Sequence, residues 1–409
     1  MGDPPPNGGS ARPRHRRVQL QVEVAPATTA MALRVGGVRM KVVELFSGAG
    51  GLSVGLERAG FEVVVANEIE PDFARTFSTN HPSARMVTED IRKVPARKLL
   101  DGLGIDRPCL VSGGPPCQGF STVGSKDRND PRNALFREYL RVVGDLDPDY
   151  VLFENVPGFK TMYSGEIHDI LLRELEALGY QTTGAVLNSS DFGLPQVRLR
   201  TIIVGWRAGL PPVHLPTPTH FAPSSLPLGG TPKVTVGDAI SDLPPILSGT
   251  SSSSYLSPPL NAYQSSMRVG NPPLCEHSAS SYGKTMLERF RLIPAGGSVS
   301  DLPLRLRPKS YFANTYARLH ADRPAPTITR NFGTPSSSRC IHPTQDRALS
   351  TREGARLQGF PDGYIFHGSK CSKNLQIGNA VPPIFGEIIA REIVASITAR
   401  ASSSAPHSR

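Results

Sequence analysis

Four groups of residues in this chain are spaced so that they could act together. Cys117 stands in SGGPPCQGFS (112–121), overlapping the end of the apolar run CLVSGG (109–114). A thiol attacks carbon as its thiolate, so a reactive cysteine needs a fixed, accessible loop. Pro115 and Pro116 stiffen that loop, and the glycines around it suit a presenting turn better than a core position. A lone cysteine is also commonly a small buried hydrophobe, and residue type alone leaves that alternative open. Glu154 and Asn155 end a second apolar run, YVLFEN (150–155). A carboxyl enclosed there would keep its proton to higher pH and serve as a general acid; a solvated one would not. Gln196, Arg198 and Arg200 alternate in QVRLR (196–200), so an extended segment puts them on one face. Guanidinium groups so placed would stabilise developing negative charge, or be ordinary surface arginines.

A ligand site is suggested further upstream. Gly48, Gly50 and Gly51 follow the β-branched run KVVELF (41–46) at once. Glycines at such a strand-to-helix turn let a ligand approach the backbone. Glu68 comes twenty residues after Gly48, beyond FEVVVA (61–66), where an acidic side chain reaches ribose hydroxyls in nucleotide-binding folds. Asp90 is expected to end a third strand beside the same crevice. A dinucleotide fingerprint would need glycine at position 53, which is Ser53. A nucleoside cofactor without a pyrophosphate fits better, and a plain structural turn is the alternative.

The elements that must position these residues alternate between strand and helix. CLVSGG, YVLFEN, AVLN (185–188) and TIIVGW (201–206) are further strands. PDFARTFSTN (71–80), NALFREYLRVV (133–143) and EIHDILLRELEALG (166–179) have helical spacing. This pattern predicts an α/β protein with a doubly wound, mostly parallel sheet. After Trp206 the texture changes. Residues 211–260 hold eleven prolines and the run Ser251–Ser254, so long regular elements are not expected there. Helical spacing returns at 349–360 and 382–397. The expected divisions are a basic, disordered extension at 1–39, a catalytic and cofactor-binding domain at 40–206, and a smaller loop-rich domain at 207–370. Residues 371–400 are expected to return to the first domain, and 401–409 to form a loose tail.

The net charge of +10 is unevenly placed. Residues 40–206 hold 18 basic and 22 acidic residues, whereas residues 207–345 hold 13 basic and 6 acidic. Such asymmetry fits one part meeting a polyanion, or a solvated basic surface. Five cysteines without any C-x-x-C argue against a disulfide scaffold and a zinc module, so no metal is expected and a reducing cytoplasm is. No apolar run approaches a membrane span, and no continuous apolar stretch follows the N-terminal arginines as in a secretory signal.

Taken in order, six segments closely resemble the cytosine-C5 DNA methyltransferase family. FSGAGG (46–51) is similar to its S-adenosyl-L-methionine loop, PPCQGFS (115–121) to its nucleophile loop, and ENV (154–156) to its cytosine-recognition segment. QVRLR is similar to its paired-arginine segment, and REGARLQGFPD (352–362) and QIGNAVPP (376–383) to its last two. The resemblance covers about 41–206 and 346–391. Ile69 departs from it, because many members carry an aromatic there; an aliphatic face still packs on adenine. DPDY (147–150) looks like a segment of exocyclic-amine methyltransferases, but it precedes a strand and is better explained as a turn.

The resemblance implies an S-adenosylmethionine-dependent methyltransferase fold with a target-recognition domain at 207–370. It implies S-adenosyl-L-methionine bound by Phe46, Gly48, Ala49, Gly50, Gly51, Glu68, Ile69, Asp90, Ile91, Pro116, Leu135, Asn379 and Ala380. Cys117 would add to carbon 6 of cytosine, Glu154 would protonate or hydrogen-bond its N3 side, and Arg200 would bind O2. Arg198 would hold the base or the nucleophile loop. The target base must leave the stack to be reached. SKDRNDPRN would be a lid whose Lys126, Arg128 and Arg132 contact phosphates, with Gln118 and Ser121 also on double-stranded DNA. PTITRNFG (326–333) would bring Thr327, Thr329 and Arg330 to the DNA. Ten arginines against three lysines in 207–345 suit bidentate contacts to guanine. A monomeric bacterial enzyme paired with a restriction endonuclease is expected. The alternatives are a tRNA cytosine-C5 methyltransferase, a DNA-binding regulator with an inactive core, and an amine methyltransferase.

Overall fold

The computed structural model describes residues 34–35, 38–116, 135–336 and 340–403. Its centre is a seven-stranded sheet. The strands are β1 (Lys41–Leu45), β2 (Glu62–Asn67), β3 (Arg85–Val87), β4 (Leu110–Gly113), β5 (Tyr150–Asn155), β6 (Tyr180–Asn188) and β7 (Leu199–Arg207). They lie in the order β3-β2-β1-β4-β5-β7-β6. Every neighbouring pair is parallel except those made by β7, which runs antiparallel to β5 and β6. The chain order reverses between β1 and β4, and crevices open at the carboxyl ends of strands at such a switch point. The glycine turn leaves β1 and the Cys117 loop leaves β4, so topology alone brings them side by side.

Burial on both faces explains the apolar, β-branched strands. Val43, Leu45, Val111, Val151 and Phe153 pack on one face against α2 (Leu135–Leu146), whose Phe136, Tyr139, Val142, Val143 and Leu146 recur at helical spacing. Val42, Leu110, Leu152 and Val204 form the other face with Leu52 and Leu56 of α1 (Gly51–Arg58) and Phe385 and Ile389 of the final helix, Pro383–Ser403. A side chain at Gly55 would run into Pro383 O, so these two helices can cross closely only with glycine there.

Three sequence expectations change. The last two strands are longer than AVLN and TIIVGW, because a polar edge strand, YQTTGAVLN, masks its own apolar alternation. Asp90 does not end a strand: β3 stops at Val87, and Asp90 caps a short 3-10 turn, Ile91–Lys93. A helix not foreseen, Lys370–Asn379, spans the expected boundary at 370.

Beyond the sheet, Ala49 and Val54 join Val236, Ile240, Ile328, Phe332, Phe360, Tyr364 and Ile377 in a third core. Here the helix Thr351–Leu357 is buried throughout and starts with a capping box between Ser350 and Glu353. Its charges are paired: Arg347 holds Glu353 at 2.6 Å, and Arg356 bridges Asp362 (2.6 Å) and Asp242. Removing one partner of such a buried pair strands the other. Among the described residues no helix is long and apolar enough to cross a membrane.

Glu44 of β1 is a buried carboxyl that accepts a hydrogen bond from Ser53 Oγ. Burial pushes its pKa from an ordinary 4.5 up to about 8. The folded state therefore keeps a proton that the unfolded chain has released between those pH values. Stability present below pH 4.5 should fall as pH rises through the window, by up to about 1.4 kcal/mol per pH unit. Glu44→Gln keeps an acceptor for Ser53 without the charge. Denaturant unfolding should find the variant more stable than wild type by up to roughly 5 kcal/mol above pH 8, with little difference at pH 4.5.

Candidate active site

The glycine turn is held by backbone and by one acid. Ser47 N–H donates to Asn67 O (3.0 Å) and Gly50 N–H to Ser47 O (3.0 Å), so the turn is tied to β2 and closed on itself. Glu68 Oε2 accepts from Gly48 N–H (2.9 Å) and its Oε1 from Glu70 N–H (2.8 Å). A carboxylate offers about four acceptor positions, so each oxygen keeps one for a hydroxyl. Burial raises the Glu68 carboxyl above its ordinary range, against those N–H donors. Gly48 and Gly50 have φ of 56° and 85°. A side chain on Gly48 would point into open space, while one on Gly51 would strike Val381 O and approach Ala380. Phe46 and Leu135 cap the adjoining core together. The cradle therefore has one open side, an acid at its rim, and the first turn of α1 with N–H groups that lack intrahelical partners.

Two expected ligand residues are placed differently. Asp90 gives its carboxylate to Arg92, through Nε at 3.0 Å and Nη2 at 2.5 Å, which holds its pKa low. Ile91 packs into the core and is only 3% exposed. Ile69 is exposed, Pro116 half-buried, Asn379 exposed and Ala380 buried.

The second half of the site lies one strand over. Cys117, Gln118, Ser121, Lys126, Arg128 and Arg132 fall outside the described residues, but the root of their loop is within them. Asn155 Nδ2–H donates to Pro115 O at 3.0 Å, tying that root to the end of β5. A methyl group on Gly114 would stand 2.8 Å from Glu154 Oε2, so the loop leaves directly over this carboxyl. Glu154 is 7% exposed and its Oε1 meets Arg200 Nε at 2.8 Å. Burial raises the Glu154 carboxyl above the ordinary range, with Arg200 and then Arg198 pulling it back. The arrangement is a buried carboxyl beside a guanidinium, at the root of the loop that carries Cys117.

Arg198 differs from the expectation that it holds a base or the cysteine loop. It is 1% exposed, and its guanidinium donates to Ile328 O (3.0 Å), Gly378 O (2.8 Å) and Ala380 O (2.9 Å). Gln196 works beside it, accepting from Ile328 N–H (2.8 Å) and donating to Leu357 O (3.0 Å). The two fasten QVRLR to three separate segments, so Arg200 at the end of the same face is fixed against Glu154. Thr327 donates to Val197 O (2.8 Å), while Thr329 and Arg330 are exposed beyond it. Reading the sequence also missed Gln358, which donates to Ala380 O (2.7 Å), and His81 and Tyr364, which stand behind Gly50. Gln358 lies inside REGARLQGFPD, which the resemblance already marks, whereas nothing local in the sequence singles out His81 or Tyr364.

A doubly wound sheet with a glycine cradle at its switch point, and an enclosed acid–arginine pair at the root of the neighbouring loop, marks an α/β protein with a ligand crevice and groups suited to acid–base chemistry. The family model for C-5 cytosine-specific DNA methylase matches residues 40–395, and the chain belongs to that family. It is 36% identical to "Type II methyltransferase M1.HphI" of Haemophilus parahaemolyticus, over 86% of this chain and 86% of that protein. Against "Type II methyltransferase M.DdeI" of Desulfomicrobium norvegicum it is 33% identical, over 87% and 88%. A crystal structure from an E. coli prophage, described as a DNA modification methyltransferase, superposes with a TM-score of 0.70 at 28% identity, covering 88% of this chain and 99% of that one. The chain is a DNA (cytosine-5-)-methyltransferase; the tRNA alternative is not favoured.

Proposed function

We propose that this enzyme methylates carbon 5 of one cytosine within a specific duplex sequence, using S-adenosyl-L-methionine and a covalent bond from Cys117. The enclosed Glu154–Arg200 pair beneath the root of the Cys117 loop is the observation that carries the reading. When bound, the cofactor supplies an electrophilic methyl group on a sulfonium sulfur. Gly48, Gly51, Glu68, Phe46 and Ala380 would hold it: the cradle is open at Gly48, and Glu68 keeps acceptor capacity for ribose hydroxyls.

Carbon 5 of cytosine is a weak nucleophile. The Cys117 thiolate adds to carbon 6, and the electron pair of the 5,6 double bond becomes available at carbon 5. Glu154 gives its proton to N3 as charge builds there, and Arg200 binds O2. Once carbon 5 carries the methyl group, its hydrogen leaves as a proton to solvent, the Cys117–carbon 6 bond breaks to return the thiolate and restore the double bond, and N3 gives its proton back to the Glu154 carboxylate. None of these atoms is accessible in a stacked duplex, so the cytosine is flipped out. Thr329 and Arg330, exposed beyond the Arg198 rail, and the basic segment 207–345 would face the DNA. The names of the relatives favour a type II restriction–modification role, which would pair this enzyme with an endonuclease for the same sequence.

Duplex DNA treated with the purified enzyme and the cofactor, then sequenced after bisulfite conversion, should show one protected cytosine in a fixed context. Methyl incorporation into tRNA but not into duplex DNA would overturn the reading.

A further inference from the structure

Two glycines of the turn, Gly48 and Gly50, face opposite ways. Gly48 looks into open space, but a side chain on Gly50 would lie 2.6 Å from His81 Nε2 and 2.7 Å from Tyr364 Oη. Tyr364 is buried, and its hydroxyl donates to Ala49 O. Burial raises its pKa well above the ordinary tyrosine value, so the proton stays on. With that proton committed, Tyr364 meets His81 Nε2 (3.1 Å) as an acceptor. The other ring nitrogen of His81, Nδ1, lies 2.9 Å from Glu57 Oε2 on α1. Gly50 N–H is already bonded to Ser47 O, so the Ala49–Gly50 peptide is gripped at both its carbonyl and its amide. The grip is rigid. The Tyr364 ring packs on Phe360 and Phe366 (4.8 and 5.3 Å between centroids), and His81 packs on Phe77 (4.5 Å).

We propose that Tyr364 and His81 are positioning residues for the cofactor, bracing the glycine turn from the side away from its open face. They touch no reacting atom. Their effect is to keep the peptide plane between Ala49 and Gly50 in the one orientation that leaves the turn open at Gly48 and aims the start of α1 into the crevice. Because Tyr364 belongs to the segment that follows the buried helix Thr351–Leu357, the far half of the chain takes part in building the cofactor cradle. This inference rests on the cofactor reading above.

The test uses the full-length chain with Tyr364→Phe and His81→Gln. Affinity for S-adenosylhomocysteine is measured by titration calorimetry, affinity for duplex DNA by gel shift, and KM for the cofactor separately from kcat. Loss of one well-placed hydrogen bond should weaken homocysteine-adduct binding about tenfold in Tyr364→Phe and about fivefold in His81→Gln. KM should rise in proportion, kcat at saturating cofactor should stay within about threefold, and DNA affinity should not move. Cofactor affinity within twofold of wild type in both variants overturns the proposal, as does an equal loss of cofactor and DNA affinity. Should Tyr364→Phe not fold, Glu57→Gln at the accessible end of the relay decides, with a cofactor loss of about threefold expected and none overturning. If the wild-type chain itself binds no S-adenosylhomocysteine, the cofactor reading fails before the brace is reached.

Discussion

Cys117→Ser should lower methyl transfer by at least about ten-thousandfold while leaving binding of duplex DNA and cofactor close to wild type. The factor corresponds to about 5.4 kcal/mol of barrier. A serine hydroxyl has nearly the shape of a thiol but holds its proton far more tightly, so the anion that must add to carbon 6 is almost absent at neutral pH. The neighbouring groups cannot substitute. Glu154 is protonated in the very state in which it is useful, and Arg200 is a cation. Single-turnover incorporation of labelled methyl groups measures the loss directly. On duplex DNA carrying 5-fluorocytosine, wild type should form an adduct that survives denaturing gels, because fluorine blocks the final loss from carbon 5. The serine variant should form none. A variant working at the ordinary rate would remove the covalent mechanism, and with it the reason for the stiff loop whose root Asn155 holds through Pro115 O.

How much of this was legible in the sequence depends on whether a residue's job is local. The glycine turn follows from a β-branched run, glycines and an acid at fixed distance, and the structure brings Gly48 and Glu68 within a hydrogen bond. Strand-end residues such as Glu154 were equally visible, because the end of a buried strand is a position that pattern alone can mark. What pattern cannot mark is which distant segment a side chain meets. Arg198 and Arg200 share a phase of two, so spacing alone does not separate them, and the resemblance assigns Arg200 to O2 and Arg198 to the base or the nucleophile loop. Only the packing of 325–328 and 378–380 against one of them makes Arg198 a buried clamp and leaves Arg200 to the acid. The same limit hid the brace, since His81 and Tyr364 are 283 positions apart. The expectation that Asp90 ends a strand changed for another reason. The strand before it is only three residues long, and an arginine two positions on gives the carboxylate a local partner that periodicity does not reveal.

The Glu154–Arg200 pair makes a prediction with a sign that separates its two roles. Glu154→Gln should reduce kcat by about a hundredfold to ten-thousandfold, because an amide can donate a hydrogen bond to N3 but cannot transfer a proton. In wild type the burial of Glu154 raises its pKa, so the protonated, active form persists above the usual carboxylate range and is lost as pH rises through the raised value. Cys117 imposes the opposite trend, since its thiolate grows with pH, and the two together give a bell-shaped profile. Glu154→Gln should delete the falling limb and keep the rising one. Arg200→Ala should act differently. It removes the charge that pulls the Glu154 pKa down, so the falling limb should move to higher pH even as the rate drops by about a hundredfold to a thousandfold through loss of the contact to O2. A pure ion pair of structural value would lower stability in both variants and leave the shape of the profile alone. An unchanged falling limb in Glu154→Gln would therefore take the proton away from this carboxyl and leave Arg200 as the only charge acting on the base.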